Sequence, residues 1–371
     1  MYRKVSLILF FFILINFYSS ITIEALEVSS KSAILLEANS GRVLYEKNCN
    51  EVLPMASTTK IMTAIVAIEY GNLDDIVVID NIAPTIEGSS IYLKENDKIT
   101  LKDLIYGLML RSGNDAAYMI AKHIAANEEN FINLMNEKAK IIGAKNTNFT
   151  NPHGLHDKNH YTTAADMALI TRYAFKNNMF KNIVSTKKTD IKINDEIRTI
   201  YNKNKLLSEY SGGNGVKTGY TIDAGKCLVF SCERDGMQLI GVVLDSADIW
   251  VDSKFILDYA FKNYEMKKVL QKDEYINSIY IKNGINDQLK IISNEDIYIP
   301  IKEWELAIRQ IKIFDYYEAP IFLKQKVGVL DFYIDDELVY TKNFYSPQKI
   351  YEKNYLKFLY ENIFNYIRFD I

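Results

Sequence analysis

The spacing of hydrophobic and polar residues predicts an ordered series of strands and helices over the first half of the chain. Residues 32–37 and 42–46 are two short, largely apolar segments on either side of the turn at residues 38–41, which predicts a β-hairpin. Beyond residue 56, apolar residues recur every three or four positions, as expected for amphipathic helices. The segments with this helical period are 57–70, a stretch that begins at 100, 115–126, 130–145 and 163–177.

After residue 216 the period changes to one that predicts strands. Three strand-like segments, joined by the turns D-A-G and R-D-G, occupy residues 216–244, and a helix at 253–265 follows them. This order indicates an α/β (α+β) domain over residues 28–265, in which helices cover an antiparallel sheet. Residues 272–345 hold short alternating segments separated by polar turns, which predicts a small all-β domain. Catalytic residue types do not cluster there, so we interpret this domain as structural or as a spacer.

The N-terminus carries the pattern of an export signal. Two basic residues precede an apolar run from Val5 to Phe17, and small residues follow as far as Ala25. Such a pattern is typical of a secretory signal peptide, here residues 1–25. An uncleaved anchor would need about 20 apolar residues to span a bilayer, and this run is shorter. We therefore expect an exported protein at the extracytoplasmic face of the cell membrane.

Residues 346–371 predict an amphipathic helix at the C-terminus. Its apolar positions fall on one face, and Asn, Lys, Glu and Arg mark the other. A helix of this kind either packs against the preceding domain or lies in the membrane interface, and the pattern by itself leaves both open. The residues of the apolar face are Leu356, Leu359, Ile363, Tyr366 and Ile367.

Composition excludes some classes of function. The chain has 371 residues and a net charge of −3, so it lacks the basic excess expected of a nucleic-acid-binding protein. Three cysteines cannot form a disulfide framework, and Cys227 and Cys232 should point to opposite faces of one strand. His156 and His160 have the spacing of helical metal ligands but lie in a loop-like segment. We therefore expect no metal site and no cofactor.

The stretch A-S-T-T-K, residues 56–60, holds the first candidate for catalysis. Ser57 and Lys60 are three residues apart in a predicted helix and therefore share a face. A serine attacks a carbonyl only when a base takes its proton, and lysine can be that base if burial or a second positive charge lowers its pKa. A lone S-x-x-K is more often a helix-capping serine and a solvated lysine.

Two further motifs make the signal specific. S-G-N, from Ser112 to Asn114, falls between two predicted helices, where Gly113 permits a tight turn. K-T-G, from Lys217 to Gly219, opens a predicted strand, and the missing side chain of Gly219 lets another backbone approach closely. Each motif is weak alone. The three motifs together, in the order S-x-x-K, S-x-N, K-T-G and separated by about 50 and 100 residues, are a specific signal.

The trio resembles the motifs of the penicilloyl-serine transferases, which include the penicillin-binding proteins and the serine β-lactamases. The surrounding residues MASTTKIMTAIVAIEYG, LIYGLMLRSGNDAA, NPHGL and GVKTGYTIDAGKCLV are similar to those of low-molecular-mass D-alanyl-D-alanine carboxypeptidases. This resemblance covers about residues 28–265 and implies a β-lactamase/transpeptidase-like fold. That family also has a small β domain and an amphipathic C-terminal helix, which favours the membrane surface as the partner of residues 346–371.

The resemblance implies a role for each motif residue. Ser57 would attack the D-Ala–D-Ala peptide bond of a peptidoglycan stem peptide, with Lys60 as general base and Ser112 as proton relay to the leaving amine. β-Lactam antibiotics would acylate the same serine and leave slowly. Asn114 would contact the substrate amide, and Lys217 would keep Lys60 neutral.

The third motif would bind the substrate. Lys217 and Thr218 would hold the terminal carboxylate, on a strand that continues through Gly219 to Tyr220. The backbone N–H groups of Ser57 and Tyr220 would form the oxyanion hole. Some members of the family bind the carboxylate with an arginine after this strand pair, but no arginine occurs here between residues 234 and 309.

Two alternatives remain open at this level. A β-lactamase would need a deacylating glutamate in an E-x-x-L-N segment. The nearest match runs from Glu129 to Asn133 and has Ile in place of Leu. A catalytically silent protein that senses β-lactams or binds the wall could keep the same fold. His153 and His160 suggest a Ser-His pair, but the resemblance favours a structural role for both.

Overall fold

A computed structural model describes residues 28–360, apart from residues 314, 315, 356 and 358. The predicted signal peptide and half of the predicted C-terminal helix, residues 356, 358 and 361–371, lie outside the described residues. Within the described part of the chain, no helix is long and apolar enough to cross a bilayer.

The first domain is built on a five-stranded antiparallel sheet in the order β2-β1-β9-β8-β7. Alternate side chains of β1 enter two different cores: Ile34 and Leu36 face one group of helices, whereas Ala33 and Leu35 face the other. Both faces of the sheet are therefore covered. The strands are β1 (Ser32–Glu37), β2 (Val43–Lys47), β7 (Gly213–Thr221), β8 (Gly225–Arg234) and β9 (Met237–Ser246).

Helices cover the sheet, as the sequence predicted, and they do so on both faces. The larger group packs against the face that includes Cys227, and α8 with the short α7 packs against the face that includes Cys232, so these two thiols do point in opposite directions. The helices are α1 (Lys60–Tyr70), α2 (Leu101–Tyr106), α3 (Asn114–Ala125), α4 (Glu128–Ile142), α5 (Ala164–Ala174), α6 (Asn178–Ser185), α7 (Leu206–Glu209) and α8 (Ile249–Asn263).

Several helix boundaries differ from the predicted ones. The helix predicted at 253–265 begins at Ile249, because the Asp248 carboxylate caps it by accepting hydrogen bonds from the backbone N–H groups of Trp250 (2.9 Å) and Val251 (3.2 Å). The helix predicted at 57–70 starts with a 3₁₀ turn, Ala56–Thr59, and becomes α-helical only at Lys60. A second 3₁₀ turn, Ala83–Thr85, lies in the loop between the short strands at Ile76–Val78 and Lys98–Thr100.

A small four-stranded antiparallel sheet was not predicted. Two of its strands are only three residues long, and the longer pair exposes most of its side chains, so neither carries a strong periodic signal. In sheet order these strands are β3 (Ile76–Val78), β4 (Lys98–Thr100), β5 (Lys188–Ile193) and β6 (Glu196–Tyr201).

The C-terminal domain is all-β, as predicted, and has a core of its own. Strand β10 pairs with β13, so this domain begins at Glu265, earlier than the predicted start at 272. Its strands are β10 (Glu265–Leu270), β11 (Tyr275–Lys282), β12 (Gln288–Ile292), β13 (Ile297–Ile301), β14 (Ile308–Ile313), β15 (Tyr316–Glu318), β16 (Lys326–Ile334) and β17 (Glu337–Tyr345).

The segment after β17 is not helical at its start. Ile350 forms a β-bridge with Ile321, and Glu352 forms one with Gly284, so residues 346–352 belong to the β domain. These backbone hydrogen bonds are incompatible with a helix from Ser346, and the described helical residues begin at Lys353. The prediction of a helix over the whole of 346–371 was therefore wrong for its first residues.

An ion pair joins the two domains. Arg42, beside β2, forms a bidentate contact with Glu305 of the β domain, with N···O distances of 2.9 and 2.8 Å, and lies over the ring of Tyr264. Burial alone would raise the pKa of Glu305, but the hydrogen bonds from Arg42 and from the Lys302 backbone outweigh it and leave that pKa below its ordinary value.

Candidate active site

The turn that carries Ser57 is held in an uncommon conformation. Ala56 lies in the left-handed region (φ 47°), and the hydroxyls of Thr58 and Thr59 donate to the carbonyls of Met55 (2.6 Å) and Ala56 (2.7 Å). In the 3₁₀ turn that follows, residues i and i+3 eclipse one another. Ser57 therefore lies directly over Lys60, half-buried, while the lysine is fully buried.

The amine of Lys60 has three close partners. Its Nζ lies 3.0 Å from Ser57 Oγ, 2.7 Å from Asn114 Oδ1 and 2.5 Å from the carbonyl oxygen of His153. The Asn114 amide is fixed in this orientation because its Nδ2 donates to the carbonyl of Glu87 (2.6 Å). Asn114 Oδ1 and the His153 carbonyl can only accept hydrogen bonds. A neutral amine has two N–H groups and one lone pair, so in its neutral form Lys60 would turn the lone pair to the Ser57 hydroxyl.

The surroundings favour the neutral form of Lys60. Burial is the largest cause that lowers its pKa well below the ordinary lysine value, and the charges of Lys217 and Lys203 lower it further, against the opposing effect of Asp115. Burial, with the charge of Lys203, lowers the pKa of Lys217 to about 7. Lys203 itself has a lowered pKa because of burial and the neighbouring Arg111.

The S-G-N motif forms the turn between α2 and α3. A π-helical turn, Gly107–Arg111, follows α2 and ends at Ser112, which adopts the left-handed conformation (φ 66°). Helix α3 then begins at Asn114, whose backbone N–H donates to the Ser89 carbonyl (2.6 Å). This turn places Ser112, itself buried, two residues from the amide that binds Lys60.

Asp115 fixes the loop that faces this turn. Its buried carboxylate accepts hydrogen bonds from the Ser90 hydroxyl (2.6 Å) and from the backbone N–H groups of Ile91 (3.1 Å) and Leu93 (3.2 Å). Since the same loop supplies the carbonyl that orients Asn114, Asp115 positions one wall of the cleft.

The K-T-G motif lies on β7, the edge strand of the main sheet. A Cβ atom at Gly219 would lie 3.0 Å from the backbone nitrogen of Ser57 and 3.2 Å from that of Thr58, closer than real Cβ atoms normally come. Glycine lets the strand approach the serine turn this closely without displacing either backbone. Lys217 is buried beneath the strand and donates to the Thr218 carbonyl (2.8 Å), whereas Tyr220 is exposed.

The loop N-P-H-G-L forms the remaining wall. A Cβ atom at Gly154 (φ +90°) would lie 2.0 Å from the Ala56 carbonyl oxygen, so this glycine is required for the loop to reach the serine turn. The Thr63 hydroxyl donates to the Pro152 carbonyl (2.6 Å) and anchors the loop to α1. Of the eight predicted site residues, Lys60 contacts both Ser57 and Asn114, and Gly219 packs against the serine turn. The other four adjoin them along the chain: Ser112 in the S-G-N turn, and Lys217, Thr218 and Tyr220 on β7.

Two contributors were missed in the sequence. One is the His153 carbonyl, because a backbone acceptor leaves no signature in residue type. The other is Lys203, whose backbone N–H donates to Leu110 O (3.2 Å) beside the S-G-N turn and whose Nζ lies 3.4 Å from Ser89 Oγ. Lys203 stands in an ordinary polar segment, and only the fold brings its charge to the cleft.

The two buried histidines have structural roles. His160 Nδ1 accepts from the Thr150 backbone (3.0 Å), so its Nε2 carries the proton and donates to the Thr59 hydroxyl (2.7 Å). His153 Nδ1 accepts from the Leu155 N–H (3.2 Å). Burial lowers the pKa of His160 to about 4 and that of His153 to about 3, so both are neutral at pH 7.

The glutamate considered for a β-lactamase lies elsewhere. Glu129 is exposed in the first turn of α4 and makes none of the contacts of Ser57 or Lys60. The geometry therefore gives no support to a deacylating role for this residue.

Comparison with known proteins agrees with this geometry. A family described as D-alanyl-D-alanine carboxypeptidase matches residues 19–248, more than half of the chain. The chain belongs to the D-alanyl-D-alanine carboxypeptidase family. Residues 264–352 match the C-terminal domain of penicillin-binding protein 5, which agrees with the domain that begins at β10.

Relatives cover nearly the whole chain. The D-alanyl-D-alanine carboxypeptidase DacF of Bacillus subtilis is 32% identical over 352 residues, covering 92% of this chain and 90% of the relative. DacC of Escherichia coli is 31% identical over 352 residues, covering 90% and 87%. The structure of penicillin-binding protein 5 from Haemophilus influenzae superimposes with a TM-score of 0.75 at 29% identity, covering 88% of this chain and 98% of that one.

The neutral His160 predicts a pH-dependent stability. Below pH ~6.5 the unfolded chain binds a proton at this position, whereas the folded chain does not until about pH 4, so stability falls as pH falls through this window. The slope for one histidine is up to about 1.4 kcal/mol per pH unit. His160→Gln should make the pH dependence of the unfolding free energy shallower by up to this amount, measured by urea titration between pH 4 and 7. An unchanged slope would contradict a buried neutral His160.

Proposed function

We propose that this protein is a serine-type D-alanyl-D-alanine carboxypeptidase that removes the terminal D-Ala from peptidoglycan stem pentapeptides. The reaction proceeds through an acyl-serine intermediate, and β-lactams acylate the same serine. One observation carries the proposal: the buried Lys60 Nζ lies 3.0 Å from Ser57 Oγ, and its other two partners can only accept hydrogen bonds, so that the neutral amine presents its lone pair to the serine hydroxyl.

Acylation begins at Ser57. Its Oγ forms a bond to the carbonyl carbon of the penultimate D-Ala while Lys60 takes the hydroxyl proton. The backbone N–H groups of Ser57 and Tyr220 stabilise the oxyanion, on the two sides of the close approach at Gly219. Because Lys60 starts neutral, this step leaves one positive charge beside the negative oxyanion.

Collapse of the tetrahedral intermediate breaks the bond to the terminal D-Ala. Ser112 passes the proton from Lys60 to the leaving nitrogen, so that D-Ala departs as an amine and Lys60 is neutral again. Water then attacks the acyl ester, releases the shortened peptide and restores the Ser57 hydroxyl. Asn114 holds both the Lys60 amine and, through its contact with the substrate amide, the peptide.

Cationic side chains and a hydroxyl recognise the terminal carboxylate. Thr218 is half-buried beside Lys217, and Lys203 adds a charge that acts on both lysines of the cleft. These groups take the place of the arginine that some family members supply. The cleft therefore favours an anionic substrate terminus.

The enzyme acts outside the cytoplasm in this proposal. The pattern of residues 1–25 supports export. The apolar stripe within 346–371 supports attachment to the membrane surface through the C-terminal helix. No nucleic acid and no cofactor takes part.

The reaction is tested by comparing two substrates. Wild type should release D-Ala from a pentapeptide faster than it hydrolyses a cephalosporin, and fluorescent penicillin should label it covalently. Ser57→Ala should lose both D-Ala release and labelling, because no nucleophile remains. Faster hydrolysis of cephalosporin than release of D-Ala would make the protein a β-lactamase, and a wild type that takes no label would be catalytically silent.

The charge of Lys203 should shift the pH profile of acylation. Acylation needs a neutral Lys60, so its rate rises with pH through the pKa of Lys60, which the positive Lys203 lowers. Lys203→Gln should move this rise to higher pH by up to about one unit. The measurement is the rate of labelling by fluorescent penicillin between pH 5 and 10.

Lys205→Gln is the matched control. Lys205 stands two residues away, is exposed and lies over the ring of Trp250, away from the cleft lysines. Its profile should coincide with that of wild type. If Lys203→Gln also left the profile in place, the electrostatic role of Lys203 would be wrong.

A further inference from the structure

Three segments at one tip of the β domain are joined by backbone hydrogen bonds. These segments are the loop at 283–285, the loop at 321–325 and the stretch 346–355. The bonds that join them are Ile321 to Ile350 in both directions (2.9 Å each), Ile285 N to Tyr351 O (2.8 Å), Lys353 N to Asn283 O (2.8 Å) and Lys324 N to Ser346 O (2.9 Å).

This tip exposes large apolar side chains. Phe322 and Leu323 lie in the loop between β15 and β16, and their side chains are 57% and 58% exposed. We define the tail-proximal surface as these two residues together with the exposed apolar Ile285, Tyr351 and Tyr355 and the exposed Lys324, Lys349 and Lys353. Grouped apolar residues of this size on a surface mark a contact site rather than chance exposure.

The arrangement of its side chains suits a lipid interface. Lys349 Nζ lies 4.4 Å from the centre of the Tyr351 ring and 5.9 Å from that of Phe322, and Tyr351 stacks on Tyr355 at 5.2 Å. Aromatic rings with lysines whose stems run along them are the side chains typical of the headgroup region. Glu352 is the one acidic residue within 349–355, so the surface is net cationic, as binding to anionic lipid requires.

The predicted amphipathic helix follows this surface in the sequence. Residues 356–371 carry the apolar stripe of the predicted amphipathic helix, and they follow Tyr355 directly. A single amphipathic element with little net charge binds membranes weakly, and stable attachment commonly takes two signals. A second contact beside the helix would supply the other signal.

We infer that the tail-proximal surface is a membrane contact in its own right, with Phe322 and Leu323 inserted among the headgroups of anionic lipids beside the C-terminal helix. This inference rests on the membrane location proposed above. It assigns the β domain a direct role in attachment instead of a passive one.

The geometry of one hairpin provides a matched control position. Strands β16 and β17 leave the tail-proximal surface and run nine residues to their turn, a length of about 30 Å. Leu338, 54% exposed, lies at that far end, close to Tyr340, which lines a cavity together with Asn39 of the first domain. Leu323 and Leu338 therefore match in type and exposure but lie at opposite ends of the β domain.

The test uses an environment-sensitive fluorophore on a single introduced cysteine in the chain from residue 26 to 371. Leu323→Cys and Leu338→Cys are labelled separately with nitrobenzoxadiazole. The native thiols of Cys49, Cys227 and Cys232 are buried, and burial raises their pKa values to about 11, about 12 and about 11, so they should not react at neutral pH. Vesicles contain phosphatidylethanolamine and phosphatidylglycerol, and flotation measures the bound fraction in parallel.

The expected result is a blue shift and a rise in emission at position 323 on addition of vesicles, with no change at 338. Flotation without any change at 323 would overturn the inference while leaving attachment through the helix intact. A protein that does not float with the vesicles would overturn both the inference and the proposed attachment through the helix. Emission at position 323 that is already blue-shifted in buffer would overturn the inference, because it would mean that the C-terminal tail covers this surface. A blue shift that depends on protein concentration in the absence of vesicles would overturn it too, because it would mean that a second copy of the chain covers the surface.

Removal of the apolar tip gives an independent readout. Phe322→Ser with Leu323→Ser should lower the vesicle partition coefficient about tenfold or more, because two large side chains no longer leave water. Leu338→Ser should leave the partition coefficient unchanged, and D-Ala release in solution should be unchanged in both. Equal partition coefficients for the double variant and wild type would contradict the inference.

Discussion

The candidate active site depends on one buried amine, that of Lys60. Three groups that can accept hydrogen bonds surround it, but in its neutral form it has only two protons to donate. Asn114 Oδ1 and the His153 carbonyl take the two N–H groups of Lys60, and the lone pair is left for Ser57. An isolated ammonium at this depth would be costly, and the charges of Lys217 and Lys203 make it more so. In the proposed mechanism, the same burial that disfavours the cation makes this amine available as the base.

Much of the surrounding structure brings backbone atoms close to this amine. Ala56 and Ser112 adopt left-handed conformations, each at a cost of about 1–2 kcal/mol relative to the ordinary helical region. A Cβ atom at Gly154 would collide with the serine turn, and one at Gly219 would contact it unusually closely. Residues in strained conformations persist only where the surrounding structure holds them in place. Here the two hydrophobic cores on either face of the main sheet provide that support.

The sequence allowed the outline of the fold and the motif residues to be predicted, since helical and strand periods are local and the three motifs have fixed order. It could not reveal that Ser57 lies in a 3₁₀ turn, because the turn depends on the packing of Gly154 against Ala56. Lys203 and the small sheet β3–β6 also escaped prediction. Both depend on contacts between residues far apart in the chain, and neither has a local signature.

The central claim, that Lys60 is neutral at the working pH, can be measured directly by NMR. In protein labelled with ¹³C and ¹⁵N at lysine, the resonance that disappears in Lys60→Arg is followed from pH 5 to 11. We expect it to titrate well below the value near ~10.4 that lysines show in the unfolded chain. A Lys60 resonance that titrates together with those of the unfolded chain would contradict the account.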